Sequence, residues 1–529
     1  MPIHKQSLGL LAAALLTVTT TSLVVAQTPE DPNLERLLAA AQNRTRSNLD
    51  QDSTGFFRDA VISYIYGYSL VAMAMTERVA TTIPDATTQL GRAPINQLYR
   101  ATGLPVGSGY KDVVLPSTTT LYAPSFMDLS KEPMILHIPQ IESNRFFIVE
   151  LLDGWTNVNR DSPGSRIGTT AGDYALVGPN YTGTLPAGLT GEIDFDTNTV
   201  WAITRVYTTG APDDVKLVAD NIFKELTLTP ASEYGHSYTP LVNLPVNPSI
   251  DVTTQPIKQT DSLDACTFFG IMSAMMRTNP PRAIDVGIVK RLNRLGIMPP
   301  NQFSCAGLLN PKTPNGKSQL AALELAVLTA KEIMAETPPP SLTSTNWTVS
   351  LDVGDYGTRY LLRALVAQKA LGANRPQDAV YGYGIFDSRG TADDDRLNGT
   401  RSYVIHFNAP TNSHAPLEIP PIDGNGFWSL TLYQGDGTLN DNKVATYNAL
   451  STKPVQDHQA CPNADGSLDI YVSATPPSNS QAFCNWLEAP QPGPDNDGSF
   501  IMFLRLYWPD SAVTNRRNPW YPPAIVRTN

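Results

Sequence analysis

The sequence predicts an α+β protein in which two strand-rich regions are joined by a helical middle. Three observations predict it. Early in the chain Phe56, Ala60, Tyr64, Tyr68, Val71 and Ala72 recur at three- and four-residue steps, the period of a helix face. Near the C-terminus the period changes to two. Tyr403, Ile405 and Phe407 alternate with Val404 and His406, and Trp428, Leu430 and Leu432 alternate with Ser429, Thr431 and Tyr433. Alternation with one apolar face is what an antiparallel sandwich requires. Between these regions, segments 213–226, 262–276, 282–295, 317–336 and 356–371 mix apolar and charged residues at helical spacing.

In chain order, residues 1–26 read as a secretory signal peptide. His4 and Lys5 open it, an apolar run from Leu8 to Leu16 follows, and Val24 and Ala26 supply the small residues that precede cleavage before Gln27. That is the layout of a cleaved leader, and the apolar core is shorter than the ~20 residues a membrane span needs. No later stretch is long and apolar enough to span, so no membrane span is expected in the mature chain. The remaining ~500 residues exceed a single core. We divide them into an N-terminal α+β domain at 27–230, a helical middle at 231–375 and a C-terminal β-sandwich at 376–529. Short apolar runs at 134–138, 146–152 and 201–207, separated by Gly, Pro and Asn, read as strands of the first domain. Pro338-Pro339-Pro340 interrupts the helical middle. Runs at 468–472 and 502–508 add alternating strands to the last region, where a sandwich or jelly roll is expected.

Composition narrows the function classes. A net charge of −11 and a pI near 5.1 argue against a nucleic-acid partner, which selects basic patches. The 44 prolines and 36 glycines with 41% hydrophobic residues indicate a loop-rich but folded chain. In an oxidising compartment the economical cysteine pairing is Cys266 with Cys305 and Cys461 with Cys484, one of three possible connectivities. Sequons at Asn43, Asn180, Asn346 and Asn398 are coherent with surface glycosylation behind a leader. The localisation expected is secreted or extracellular.

Several motifs then resemble a known pair of domains. Phe126-Met127-Asp128-Leu129, Glu132-Pro133, Leu152 through Asn157 and Gly172-Asp173-Tyr174 through Gly178-Pro179 resemble the domain of unknown function 1254. Leu397-Asn398-Gly399, Tyr403 to Phe407, Phe427 to Thr431, Asn485-Trp486-Leu487 and Leu504 to Pro509 resemble its usual C-terminal companion, the domain of unknown function 1214. The resemblance implies a jelly-roll-like C-terminal half and no particular activity. It also implies an Asn-x-Asp-Thr-Leu-Tyr pattern where this chain reads Ser117-Thr118-Thr119-Thr120-Leu121-Tyr122, and an Arg-Tyr pair where it reads Thr446-Tyr447.

Familiar catalytic signatures are missing. The chain has no G-x-S-x-G, H-E-x-x-H or G-x-G-x-x-G motif. Gly316-Lys317-Ser318 lacks the first glycine of a phosphate loop, since Pro311 holds that position. Asp194, Asp196 and Asn198 open like a calcium loop, but Thr199 and Arg205 occupy the places of its glycine and glutamate. No metal site and no cofactor are expected. What stands out is polar residues inside apolar strands. Asp153, Trp155 and Asn157 share one parity, and Arg166 and Arg205 supply cations in the same domain. Such a group suits a carboxylate or carbonyl ligand, with Asp153 as general base. The competing reading is a structural Asp153–Arg205 ion pair with Trp155 packed over a turn. His406 is the second acid/base candidate, and Tyr122 and Tyr433 complete the candidate binding group. The expected function is a cofactor-independent hydrolase or lyase acting on a small polar or carbohydrate-like ligand between the β-rich halves. The alternative is a non-enzymatic ligand- or glycan-binding protein.

Overall fold

The computed structural model describes residues 32–45, 51–87, 91–105, 107, 115–300, 302–310, 312, 314–337, 343–411, 415–494, 496–517 and 519–528. The leader at 1–26 and the proline tract at 338–340 lie outside the described residues. The chain is a mixed α+β protein, as its periodicities predict.

The N-terminal strands are β1 (Thr120–Asp128), β2 (Met134–Ile138), β3 (Phe147–Asp153), β4 (Gly172–Val177), β5 (Gly191–Asp194), β6 (Thr199–Tyr207) and β7 (Thr227–Pro230). They form a three-stranded sheet, β1-β6-β3, and a four-stranded sheet, β5-β4-β2-β7. Strand parity assigns the faces. Leu121, Ala123, Val149, Leu151, Ala202 and Val206 of the first sheet meet Met134, Leu136, Leu176 and Leu228 of the second in one core. The opposite parity of the three-stranded sheet carries Tyr122, Glu150, Trp201, Ile203 and Arg205.

Helices cover one end of that opposite face. Helix Gln51–Thr81 is apolar on nearly every side, and its residues from Phe57 to Met73 are almost all buried, the signature of a helix surrounded by protein. It shares a core with Ala265–Met275, Val286–Arg294, Pro314–Glu336 and Tyr360–Lys369. Asp264 caps the first of these partners by accepting from the Thr267 N–H at 2.8 Å. Gly67 permits the contact, because a Cβ there would lie 2.3 Å from Met272 Sδ. The helical layer therefore draws on both sides of the boundary expected at residue 231. An amphipathic set buries its apolar stripes together wherever they fall in sequence.

The C-terminal strands are β8 (Trp347–Val349), β9 (Ala379–Gly384), β10 (Tyr403–Phe407), β11 (Ile422–Gln434), β12 (Ala449–Leu450), β13 (Leu468–Ser473), β14 (Trp486–Glu488), β15 (Phe500–Pro509) and β16 (Val526–Arg527). They make a five-stranded sheet, β12-β11-β15-β9-β8, and a four-stranded sheet, β14-β13-β10-β16. Trp428, Leu430, Leu432, Met502, Leu504 and Leu506 of the first pack against Tyr403, Ile405, Phe407, Ile470 and Val472 of the second. This is a sandwich, although β13 and β14 pair in parallel. Disulfides join Cys266 to Cys305 and Cys461 to Cys484, the economical pairing.

The halves meet through aromatic side chains. Phe146 lies 5.8 Å from Phe427 and 5.2 Å from Tyr507, and Tyr207 lies 4.7 Å from Phe427. Arg166 adds an ion pair to the buried Asp378. Phe146→Ala removes the ring at the centre of this seam. We expect it to cost ~3–5 kcal/mol, read as a lower denaturation midpoint in urea; an unchanged midpoint would mean the seam carries no stability.

Candidate functional site

The sequence-predicted residues separate into four places. Asp153 closes a turn at the end of β3. Its carboxylate accepts from the backbone N–H groups of Trp155 and Asn157 at 2.9 and 2.8 Å and from Asn157 Nδ2. Asn157 Oδ1 in turn accepts from Arg282. Trp155 is fully buried in the helical core, donates Nε1–H to the Pro280 carbonyl, and lies with Tyr66 and Tyr360 around Arg363. Asp153 and Arg205 do not pair, because they project from opposite faces of the sheet: Asp153 opposes Val200, and Arg205 opposes Ile148. His406 lies on the outer face of β10, exposed, with Nδ1 2.7 Å from Asp469 across the strand pair. Arg166 is spent on Asp378. Asp153, Arg205 and His406 therefore do not converge.

Arg205, Tyr122 and Tyr433 do converge, with partners that lie where the halves face each other. Tyr122 and Arg205 are register partners on β1 and β6, and the guanidinium carbon stands 5.5 Å from the Tyr122 ring centre. Glu150, fully buried on β3, pairs with Arg205. The Gly372 carbonyl accepts a second Arg205 hydrogen bond at 3.1 Å. Gly372 needs its φ of +86°, and a Cβ there would press on Ile203.

The outer face of the five-stranded sheet supplies the opposite wall. Ser429, Arg505 and Tyr381 form one row across β11, β15 and β9. Arg505 Nη2 donates to the Leu115 carbonyl at 2.6 Å, and its guanidinium lies 4.3 Å over Phe503 and 5.6 Å from the Tyr433 ring. Tyr433 donates to the Pro116 carbonyl at 2.6 Å. Tyr507 donates to Ser117 Oγ at 3.5 Å, and Ser117 also bonds Thr119 and Thr120. The segment that departs from the family pattern is thus part of this wall. Arg205 and Arg505 are buried, whereas Tyr122, Tyr381, Tyr383 and Phe503 keep accessible surface. The two walls thus set partly accessible aromatic residues beside buried guanidinium groups.

Burial and charge set the chemistry between the two walls. Burial pushes the Tyr122 phenol up, but Arg205 and Arg505 outweigh it and hold the group below the ordinary tyrosine range. Tyr507 moves the other way: burial and the neighbouring Tyr122 raise it. Glu150 is pushed up to about 7 by burial, with Arg205 offsetting part of the rise. Glu150 Oε1, Asn374 Oδ1, Ser429 Oγ and Arg505 Nη1 are buried without a hydrogen-bond partner. Polar atoms in that state are costly; others lie elsewhere in the core, among them Ser63 Oγ, Ser69 Oγ and Arg363 Nη1. Among the described residues no group of three His, Cys, Asp or Glu side chains assembles to hold a metal.

Sequence reasoning missed Glu150, Arg505, Tyr381, Ser429 and Asn374. A usable signal existed for two of them: a charge inside Phe147-Ile148-Val149-Glu150-Leu151-Leu152 and another inside Met502-Phe503-Leu504-Arg505-Leu506.

Comparison with known proteins agrees with the architecture. Family models match residues 95–230 as a protein of unknown function, DUF1254, and residues 383–511 as a protein of unknown function, DUF1214. The chain belongs to the family that pairs these domains. It is similar in fold to the crystal structure of the VPA0106 protein from Vibrio parahaemolyticus, at 20% identity and a TM-score of 0.60, over 90% of this chain and 100% of that one. An uncharacterized protein from Burkholderia cenocepacia aligns at 12% identity and a TM-score of 0.37, over 94% and 95% of the two chains. No curated protein matches.

Two measurements check this geometry. Glu150 binds its proton more tightly folded than unfolded, so its contribution to stability is complete below the ordinary glutamate pKa of 4.5 and is lost as pH rises through about 7. Relative to Glu150→Gln, the wild type should lose stability between pH 4.5 and 7. Parallel stability–pH curves would refute the raised value. Asp153→Ala opens the turn and should cost ~1–3 kcal/mol in urea denaturation; a neutral result would leave Asp153 without a structural task.

Proposed function

We propose that this member of the paired DUF1254–DUF1214 family is a cofactor-independent acid–base enzyme, of the lyase or hydrolase class, working on a small polar molecule in the recess between its β-rich halves. The observation that carries the reading is Tyr122, a partly accessible phenol facing two buried guanidinium groups. A phenol held below its ordinary pKa is a base at a milder pH than free tyrosine.

In the lyase form, the Tyr122 phenolate takes a proton from carbon next to a carbonyl. The electron pair moves onto the carbonyl oxygen, where a guanidinium stabilises it. It then returns to expel a leaving group from the adjacent carbon, and the Tyr122 phenol supplies that group with a proton. In the hydrolytic form the proton comes from water, whose oxygen attacks the carbonyl; the tetrahedral adduct then collapses, the acyl–oxygen bond breaks, and the Tyr122 phenol returns the proton to the departing oxygen. Both place the developing negative charge on oxygen, facing Arg205 or Arg505. Glu150 holds Arg205 in position and keeps part of its charge balanced.

The two disulfides and the apolar leader support an extracellular destination. Of the sequons, Asn180 is exposed, whereas Asn346 Nδ2 donates to the Asp387 and Gly390 carbonyls at 2.8 and 3.1 Å. Glycosylation there would displace one of these bonds, so we place a surface glycan at Asn180 before Asn346.

The test begins with a turnover screen of esters, lactones and β-substituted carbonyl compounds on the purified chain. For any substrate found, Tyr122→Phe keeps the ring and removes only the hydroxyl. We expect kcat to fall by ~10²–10⁴-fold with the circular-dichroism spectrum and melting temperature preserved. Full activity in that variant would remove Tyr122 from the chemistry, and binding without turnover across the screen would favour a binding protein instead.

A further inference from the structure

We infer that the molecule entering the recess carries a carboxylate, and that Arg505, Ser429 and Tyr381 form the subsite that holds it. The inference rests on the recess being the ligand site and adds the chemical class of that ligand.

The argument starts from an unbalanced charge. Arg205 has Glu150 as its carboxylate. Arg505 has no carboxylate among the described residues: around it lie the Phe503 ring, the Leu115 carbonyl and the phenols of Tyr433, Tyr507 and Tyr122. It is nevertheless only 4% exposed, and Nη1 makes no hydrogen bond. A buried guanidinium without a carboxylate partner is a costly arrangement, and an anionic ligand would relieve it.

The donors around it suit two oxygens. Ser429 is directly opposite Arg505 on β11, fully buried, with a hydroxyl that has no partner. Tyr381 is opposite Arg505 on β9. Its hydroxyl accepts from Asn374 Nδ2 at 2.7 Å, which leaves its own proton to donate. The register sets Ser429, Arg505 and Tyr381, two hydroxyls and a guanidinium, in one cross-strand row. One guanidinium with two hydroxyls matches the single charge and two oxygens of a carboxylate. The rings of Phe503, Tyr381 and Tyr433 beside it form an apolar flank suited to a flat, unsaturated body.

Isothermal titration calorimetry on the full chain tests this with benzoate and its neutral isostere benzamide, and with phenylacetate and phenylacetamide. Each acid should bind about tenfold or more tightly than its amide. Ser429→Ala should weaken acid binding by about tenfold and leave the amide unchanged. Arg505→Gln should abolish the preference; should that variant fail to fold, Ser429→Ala and Tyr381→Phe decide. Equal binding of acid and amide, no binding of either acid, or acid binding untouched in both Ser429→Ala and Tyr381→Phe would each overturn the inference. The two readings separate because turnover in Tyr122→Phe and carboxylate binding by the wild type are measured independently. Loss of turnover in Tyr122→Phe without carboxylate binding by the wild type overturns this inference alone. Carboxylate binding with turnover intact in Tyr122→Phe overturns the catalytic reading alone.

Discussion

The Glu150–Arg205 pair is the interaction on which the arrangement of this molecule depends. It sits on the second face of a three-stranded sheet whose first face is already committed to a sandwich core. That second face has to be covered too, and its composition dictates by what. At one end Trp201, Ile203, Leu152 and Phe126 are apolar, and Met73 of the long central helix packs on them. At the other end Phe146, Ile148 and Tyr207 meet Phe427, Ala379 and Tyr507 of the C-terminal half. Between these two apolar patches lie the charges. The helical layer and the C-terminal sandwich therefore dock on either side of a polar strip that neither covers by apolar contact.

A strip of this kind is expensive in structure and useful in chemistry. Taking a guanidinium and a carboxylate out of water costs several kcal/mol per ion before their attraction is counted. Well-packed apolar residues would have closed the same seam with less penalty. Here the chain instead keeps two arginines, a glutamate and several tyrosines in a space shielded by aromatic rings. Shielding lowers the local dielectric, which strengthens each charge–dipole contact and splits the proton affinities of neighbouring phenols. Tyr122 and Tyr507 are shifted in opposite directions for that reason. Stability given up at one place and chemistry available at the same place form a familiar pairing in proteins.

Much of this was legible in the residues. The 3.6-residue period marks the helix Gln51–Thr81, and the two-residue period marks β10, β11, β13 and β15, because each element buries one face and the face repeats. The cysteine pairs followed from proximity in sequence. Polar residues inside apolar strands stand out in the sequence, Asp153 and His406 among them. Asp153 ends its strand, where a carboxylate serves the backbone of the following turn. His406 faces a cross-strand Asp469 at the surface. Glu150 and Arg505, deeper inside their strands, carried the same signal more strongly. They were hidden because a charge flanked by apolar neighbours is ambiguous until its strand has a partner on each side.

What the sequence determined by itself is local: which segments are helices or strands, which parity of each strand is apolar, and which pair of domains the chain contains. Those properties depend on neighbours within a few residues, so a one-dimensional pattern holds them. The tertiary structure alone decided which faces meet. Ser117, Tyr122, Glu150, Arg205, Tyr381, Ser429 and Arg505 span nearly 400 positions of chain, and no periodicity relates them. Strand register on β1, β6 and β3 sets one wall, and register on β11, β15 and β9 sets the other. The apolar patches on either side then bring the walls together. The candidate site is a product of docking two sheets, and docking is a property of surfaces that only the folded chain possesses.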